Sequence, residues 1–364
     1  MSLEPSIVST FSGCGGMDLG FELEGYRTVW ANDFQVDAAR TFDHHFGKGV
    51  MRLGDIREID PKSDKSIPDA DLVIGGFPCQ DFSRLWKMPG LDGKRGTFYQ
   101  DFRDFVAAKQ PRAFVAENVK GLLSANNGLA IKTVLEDLEA IEPGYLVKPL
   151  LYNFANYGVP QLRERVLIVG VRKDTGYLFR HPKPTHGLGT GKPWRSSQSA
   201  LNGVKLAKYN NELPRHSEKV IRMLDTIGEG GNYTNIPVDS PDYVKGMISH
   251  VYRRLDRNLP SPTIIAGGGG GTVGYHYEEL RALTNRERAR IQSFPDDFEF
   301  LGNRTEVRRQ IGNAVPPEGI RPLARRLMNL FEESYERVDL TDEIERLKSL
   351  PIAERLRESA AELD

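Results

Sequence analysis

Short apolar runs alternate with amphipathic stretches through the first half of the chain. "PSIVSTF" is apolar and β-branched, "SGCGG" breaks it, and "MDLGFELEGY" then reads as a helix. "RTVWAND" has strand character, and "FQVDAARTFDHHFG" is helical up to its glycine. "ADLVIGG", "PRAFVAEN" and "RVLIVGVR" are further apolar runs of the length and continuity of buried strands. This alternation predicts an α/β fold: a doubly wound, mostly parallel, Rossmann-like sheet with helices on both faces.

After Val171 the pattern fades. Residues 181–275 are rich in Gly, Pro, Asn and Ser, and "THGLGTGKPW" and "AGGGGGTVGY" are loop material. Helical periodicity returns in "TNRERARIQSF" and "PLARRLMNLFEESYERV", and the tail reads as two short charged helices broken at Pro351. The expected division is a first domain over 1–175, a small loop-rich domain over 176–280, a hinge over 281–309, and a return to the first domain with a helical tail over 310–364.

Charge changes this picture more than overall composition does. The net charge is −1, yet residues 172–275 carry 15 Lys and Arg against 8 Asp and Glu, a net of +7. Residues 332–364 carry 5 basic and 11 acidic residues, a net of −6. A basic middle in a neutral chain suggests a face for a polyanion, or simply a solvated surface with uneven charge. No 18-residue apolar run exists, and "MSLEPSIVST" lacks the basic-then-apolar order of a signal peptide, so neither a membrane span nor an export signal is expected. Two cysteines make no disulfide framework and suit a reducing compartment.

Candidate chemistry sits at the predicted strand ends, where open α/β sheets bind ligands. The first strand runs into Phe11, Ser12, Gly13, Cys14, Gly15 and Gly16, a turn that lets a ligand approach the backbone. The second ends at Asp33, placed to bind ribose hydroxyls, and the third at Asp55 and Ile56. Phe11 and Phe34 could flank an adenine ring or be core aromatics, and Cys14 fits as a small structural residue. Another strand delivers Pro78 and Cys79, and another Glu117 and Asn118. Arg163 and Arg165 occupy alternate positions as a strand begins, so they are expected to point the same way. A thiol, a carboxyl and two guanidinium groups beside a nucleoside site form a catalytic constellation.

The blocks "FSGCGG", "GGFPCQDFS", "AENV", "QLRER", "RALTNRERARIQSFPDDF" and "QIGNAVPP" occur in an order and spacing similar to those of the DNA cytosine-C5 methyltransferase family. The resemblance runs from residue 7 to about 330, leaving out the variable middle and the tail. It implies S-adenosylmethionine as cofactor, S-adenosylhomocysteine as product, no metal, and double-stranded DNA as substrate. Cys79 would add to C6 of a cytosine flipped out of the duplex. Glu117, protonated or sharing a proton, would bind its N3 edge. Arg165 would hold the carbonyl oxygen and orient Glu117, Arg163 would support that network, and Asn118 would brace the Pro-Cys loop. Phe11, Ser12, Gly13, Gly15, Gly16, Asp33, Phe34, Asp55, Ile56 and Pro78 would hold the cofactor, and Asn313 would close its methionine end. Residues 1–175 would then be the catalytic domain and 176–280 the target-recognition domain. Ser83, Lys87 and Arg95, on a loop able to close over the substrate, are expected to contact DNA. So are Thr263, followed by an aliphatic residue, and Gly268 and Gly269 in the glycine run, with further arginines from "RHSEKVIRML" and "YRRLDR".

A nicotinamide dehydrogenase would share the glycine loop and acid but not the Pro-Cys and Glu-Asn blocks. A tRNA cytosine-C5 methyltransferase of the same family is the main alternative, but that branch carries a Cys-Phe-Thr motif, and no cysteine follows Cys79. The compact length suggests a prokaryotic or viral protein, and a monomer in the cytoplasm of a prokaryotic cell is expected, with a restriction endonuclease as possible partner. The target site, the function of the acidic tail and the base that removes the C5 proton are not legible in the sequence.

Overall fold

The structure, a computed structural model, describes residues 4–78, 98–243, 251–267 and 274–363. The chain divides into two compact units: residues 1–153, 164–183 and 320–364 form the first, and residues 154–163 and 184–319 the second. The expected boundary at 175 therefore falls nearer 183. Residues 281–309 are no separate hinge but part of the second unit, because their polar groups bond within it. Arg286, for example, donates to the carbonyls of Tyr209, Pro295 and Phe298.

The first unit is the predicted α/β sheet. Its strands are β1 (Ser6–Thr10), β2 (Arg27–Asp33), β3 (Met51–Leu53), β4 (Leu72–Gly75), β5 (Ala113–Val119), β6 (Tyr145–Asn153) and β7 (Glu164–Arg172), in the order β3-β2-β1-β4-β5-β7-β6. The first five are parallel, and β7 runs antiparallel to both β5 and β6. Strand order reverses between β1 and β4, so the carboxyl ends of these two strands flank the crevice where such sheets bind ligands. The helices are α1 (Gly16–Glu22), α2 (Val36–Phe46), α3 (Phe98–Lys109) and α4 (Leu129–Glu139). α3 buries Tyr99, Phe102, Phe105 and Val106, and α4 buries Ile131, Val134, Leu135 and Leu138, the spacing of one helical face. Both join a core with Val8, Val73, Phe114, Val166 and Ile168 from the strands.

β6 was not legible as a strand, because "YLVKPLLYN" contains a proline. It is the edge strand, where a proline is tolerated. The tail is also more than a solvated acidic segment. Leu340, Ile344 and Leu347 pack on Leu146 of β6. Lys148 of β6, almost wholly buried, reaches Glu362 at 2.6 Å. Arg355 pairs with buried Glu139 and donates to the Val147 carbonyl at 2.9 Å. The helices α10 (Thr341–Ser349) and α11 (Ile352–Ala361) thus cover a sheet edge with paired charges.

The second unit holds the short helices α5 (Ser197–Leu201), α6 (Glu218–Thr226), α7 (Asn285–Ile291) and α8 (Arg304–Asn313), and α9 (Pro317–Phe331) begins in it. Among its described residues, β structure is limited to isolated bridges. α7 starts with a capping box in which Thr284 accepts from the Glu287 N–H and Glu287 from the Thr284 N–H. Glu287 also takes both arms of Arg281, at 2.8 and 2.7 Å. Phe294, Phe298 and Phe300 pack as a trio with centroids about 5.0 Å apart.

Candidate active site

Two groups of residues meet the carboxyl ends of the parallel strands. The turn after β1 requires positive φ at Phe11, Gly13 and Gly15, with φ of 52°, 57° and 87°. A Cβ on Gly15 would lie 2.3 Å from the Phe46 ring, so α2 packs against this turn only because the side chain is missing. A Cβ on Gly13 would meet nothing within 4 Å, so the turn is open on that side. Asp33, at the end of β2, accepts from the Gly13 N–H at 2.9 Å and the Gln35 N–H at 2.8 Å. Its carboxylate is fixed against the glycine turn with further acceptor capacity on each oxygen. Ser12 donates its backbone N–H to the Asn32 carbonyl at 3.0 Å, tying the same turn to β2, and Gly16 opens α1.

Phe34 is 62% exposed beside Asp33 and is no core aromatic. Phe11 is partly buried, edge-on to Phe98 at 5.7 Å. Asp55 caps the turn Ile56–Glu58 and accepts from the Arg57 backbone N–H at 3.0 Å and its Nε at 2.9 Å. Those Arg57 bonds hold the Asp55 carboxyl below the usual carboxylate range. Ile56 is buried in the main core. Burial pushes the Cys14 thiol well above its ordinary pKa, which keeps it protonated and suits a packing role.

The second group lies at the ends of β4 and β5. A Cβ on Gly75 would fall 2.3 Å from Thr10 Oγ1, so glycine is needed for close packing there. At Gly76 a Cβ would come within 3.1 Å of Glu117 Oε2, so this glycine makes room for the carboxylate. Glu117 is 9% exposed and forms an ion pair with Arg165, with Oε1 2.8 Å from Nε. The register explains the pair: Arg165 sits opposite Val119 across the antiparallel β5–β7 ladder, and two residues along β5 lies Glu117, on the same face. Asn118 is buried and donates from Nδ2 to the Phe77 carbonyl at 2.8 Å, fixing the segment that leads into Pro78. Cys79, Ser83, Lys87, Arg95, Gly268 and Gly269 lie outside the described residues.

Arg163 does not follow the expectation of one network with Arg165. It belongs to the second unit, is fully buried, and donates to the carbonyls of Ile264, Gly312 and Ala314 at 3.0–3.2 Å. Those carbonyls end a loop and a helix and need a donor that no neighbouring strand supplies. Nearby, Gln161 donates to Gln292 Oε1 at 2.8 Å and accepts from the Ile264 N–H at 2.8 Å, while Gln292 donates to the Ile311 carbonyl at 2.6 Å. A Cβ on Gly312 would lie 2.3 Å from the Ala266 backbone nitrogen. Thr263 is exposed and donates its hydroxyl to the Leu162 carbonyl at 2.7 Å. Gln161, Gln292 and Gly312 thus tie four distant sequence blocks together, a function that spacing alone did not reveal. Asn313 is exposed at the end of α8, in the second unit.

The surplus of basic residues is also smaller than it looked. Arg254 of "YRRLDR" is 7% exposed and donates to five carbonyls, those of Leu224, Ile227, His276, Tyr277 and Glu278. Arg257 pairs with Glu229 at 2.9 Å and Arg222 with Asp242 at 3.1 Å. Arg254 is thus held internally, whereas Arg222 and Arg257 are paired with carboxylates at the surface.

Residues 6–329 match the family model of C-5 cytosine-specific DNA methylase. The chain belongs to that family. Among its relatives, the Type II methyltransferase M.NgoFVII of Neisseria gonorrhoeae is 56% identical over 98% of this chain and 95% of its own length. The Type II methyltransferase M.BbvI of Brevibacillus brevis is 39% identical over 96% of this chain and 97% of its own. In fold, a candidate DNA modification methyltransferase from an E. coli prophage matches with a TM-score of 0.69 at 22% identity, over 90% of this chain and all of that one. The protein is a DNA cytosine-C5 methyltransferase that uses S-adenosylmethionine. Among the described residues, no helix is long and apolar enough to cross a membrane, and no three His, Cys, Asp or Glu side chains gather to hold a metal.

Proposed function

We propose that this methyltransferase acts on a cytosine flipped out of double-stranded DNA, through a covalent bond between Cys79 and C6. The Glu117–Arg165 pair at 2.8 Å, beside the segment that Asn118 anchors just before Cys79, carries this reading. A base inside the duplex is out of reach of a side chain, so the nucleotide must leave the stack. The Cys79 thiolate adds to C6, and the electron pair of the C5–C6 bond becomes nucleophilic at C5. Glu117 binds the N3 edge, where negative charge develops during addition, and Arg165 orients Glu117 and binds the carbonyl oxygen. Bound S-adenosylmethionine supplies an electrophilic methyl group. Loss of the C5 proton then returns electrons to the ring and expels the thiolate.

The open glycine turn, the Asp33 carboxylate and the exposed Phe34 ring fit a nucleoside cofactor: Asp33 for the ribose hydroxyls, Phe34 for the adenine face, Asp55 and Ile56 at its edge, and Ser12, Gly13, Gly15 and Gly16 along the methionine part. Phe11, Pro78 and Asn313 complete the proposed cofactor contacts. The first unit, which holds most of residues 1–175, serves as the catalytic domain and the loop-rich second unit as target reader. Thr263, Gly268 and Gly269 are its proposed DNA contacts, with Ser83, Lys87 and Arg95 from the loop after Cys79. Arg163 acts by holding the segment that carries Ile264. The protein works as a monomer in the cytoplasm of a prokaryotic cell, and its resemblance to Type II methyltransferases supports a cognate restriction endonuclease.

Bisulfite sequencing of plasmid DNA from cells expressing the protein tests the reading. Protected cytosines in one sequence motif are expected with wild type and none with Cys79→Ala. Methylation of adenine, of RNA alone, or by the Cys79→Ala variant would contradict it.

A further inference from the structure

Most buried arginines of the second unit have several acceptors. Arg163 has three carbonyls, Arg254 five, Arg281 two carboxylates, and Arg286 three carbonyls besides Asn210. Arg288 breaks this rule, and half-buried Arg308 lines the same cavity. Arg288 is 3% exposed, yet its one hydrogen bond among the described residues runs to the Leu283 carbonyl, at 3.2 Å. The half-buried Arg308 side chain has no hydrogen bond or ion pair among the described residues, and its Nε is buried without an acceptor. Both face a cavity of about 300 Å³ between the start of α7 and the middle of α8, together with Arg304, Glu212, His216 and Tyr275.

A buried guanidinium with few acceptors is costly, and a second one close by, half-buried with its Nε enclosed, adds to that cost. Arg288 feels both effects: burial, then the charge of Arg308, lower its pKa to about 10. His216 adds no further positive charge, because it accepts from the Ala282 N–H at 2.9 Å and burial lowers its pKa. Among the described residues of the cavity wall Glu212 is the one carboxylate, against three arginines, and Arg304 is already bonded to the Glu212 and Leu213 carbonyls. The unmet need is for an anion with several acceptor oxygens, which is the chemistry of a phosphate group.

We propose that Arg288 and Arg308 form a phosphate site that takes one phosphodiester of the bound DNA backbone. This rests on the DNA reading above. Arg288 also lines the neighbouring cavity of about 320 Å³ that carries Thr263 and Ile264, so the site adjoins the segment proposed to face DNA. A phosphate contact positions the duplex and carries no sequence information.

The test uses the full-length protein with Arg308→Gln, Arg308→Met and Arg308→Lys. Duplex affinity is measured from 50 to 200 mM salt, on a site found by plasmid sequencing and on an unrelated duplex. Losing one phosphate contact lowers the slope of log K against log salt by about 0.9. Both duplexes should weaken equally with Gln and Met, and Lys should restore the slope. Met keeps the apolar stem packed, so it decides the matter should Gln fail to fold. A wild-type slope in a folded neutral variant overturns the proposal, as does a loss confined to the recognised site, which would indicate a base contact. Melting in inorganic phosphate and in chloride of equal ionic strength separates the remaining source. Phosphate protection lost in Arg308→Gln, with the DNA slope unchanged, would mark a free-anion site and also overturn it. Plasmid methylation is scored in parallel: wild type that leaves cytosine unmodified fails the functional reading itself, whereas methylation with an unchanged slope fails only the phosphate site.

Discussion

Arginine does different work in the two units. In the first, Arg165 meets a carboxylate at the end of a sheet packed on a mainly apolar core, and the pair remains partly exposed at a strand end. In the second, Arg163, Arg254 and Arg286 are buried on backbone carbonyls, and they take the place that strand ladders hold in the first. A loop-rich unit cannot satisfy its carbonyls through regular secondary structure, so side chains with five donors do it. The lesson is that positive charge counted along a sequence is not positive charge on a surface. Arg254 belongs to the basic middle and contributes to folding instead.

Arg165→Met should sharpen this contrast most. We expect kcat to fall by roughly 10²–10³, the usual loss when one donor to developing charge is removed. Duplex affinity should stay close to wild type, and stability should fall less than in the variants below because the unpaired Glu117 lies at a partly exposed strand end, as steady-state kinetics, thermal melting and binding would show. A large stability loss instead would make Arg165 structural, like its counterparts in the second unit.

Arg254→Met should do the reverse, costing about 3 kcal/mol or more as buried carbonyls lose their donors. Urea unfolding followed by hydrogen exchange should place the loss in the second unit. Among its described residues the first unit has one buried arginine of the structural kind, Arg355 in the tail. Arg355→Met should cost about 3 kcal/mol by stranding Glu139, and adding Glu139→Met should recover most of it. If the single variant is as stable as wild type, the tail does not clasp the sheet edge.

The smallest effect concerns His181, buried in the first unit with Nε2 at 3.1 Å from the Lys148 carbonyl. Burial lowers its pKa to about 3, below the ordinary 6.5. Between those values the unfolded chain binds a proton that the folded chain does not, so stability falls as pH drops below 6.5. At about 1.4 kcal/mol per pH unit, the loss by pH 5 is roughly 2 kcal/mol. Denaturant unfolding of His181→Phe at pH 7 and pH 5 should show a pH dependence smaller by that amount, and an unchanged dependence would refute the assignment.

Much of the first unit was legible because its signals are local. Apolar runs of strand length, glycine after β1 and acids at the ends of β2 and β3 need only their neighbours to be read. β6 escaped because Pro149 argues against a strand until its edge position is known. The Glu117–Arg165 pair was foreseeable from two strand ends, but the bonds of Arg163 were not. They depend on Gly312 and Ala314, about 150 residues away, and on a close approach of Gly312 to Ala266. The tail's clasp was hidden for a related reason: its acidic surplus looks solvated until buried Lys148 is placed beneath it.

The central claim is that Cys79 attacks C6 of a flipped cytosine, and the covalent step can be caught directly. With fluorine at C5 of the target, methyl transfer leaves no proton to remove, and the sulfur stays on C6. Intact mass spectrometry of wild type with such a duplex and S-adenosylmethionine should show one protein joined to one DNA strand, with the fragment containing Cys79 as the attachment point. Absence of that species with wild type, or its persistence in Cys79→Ala, would contradict the account.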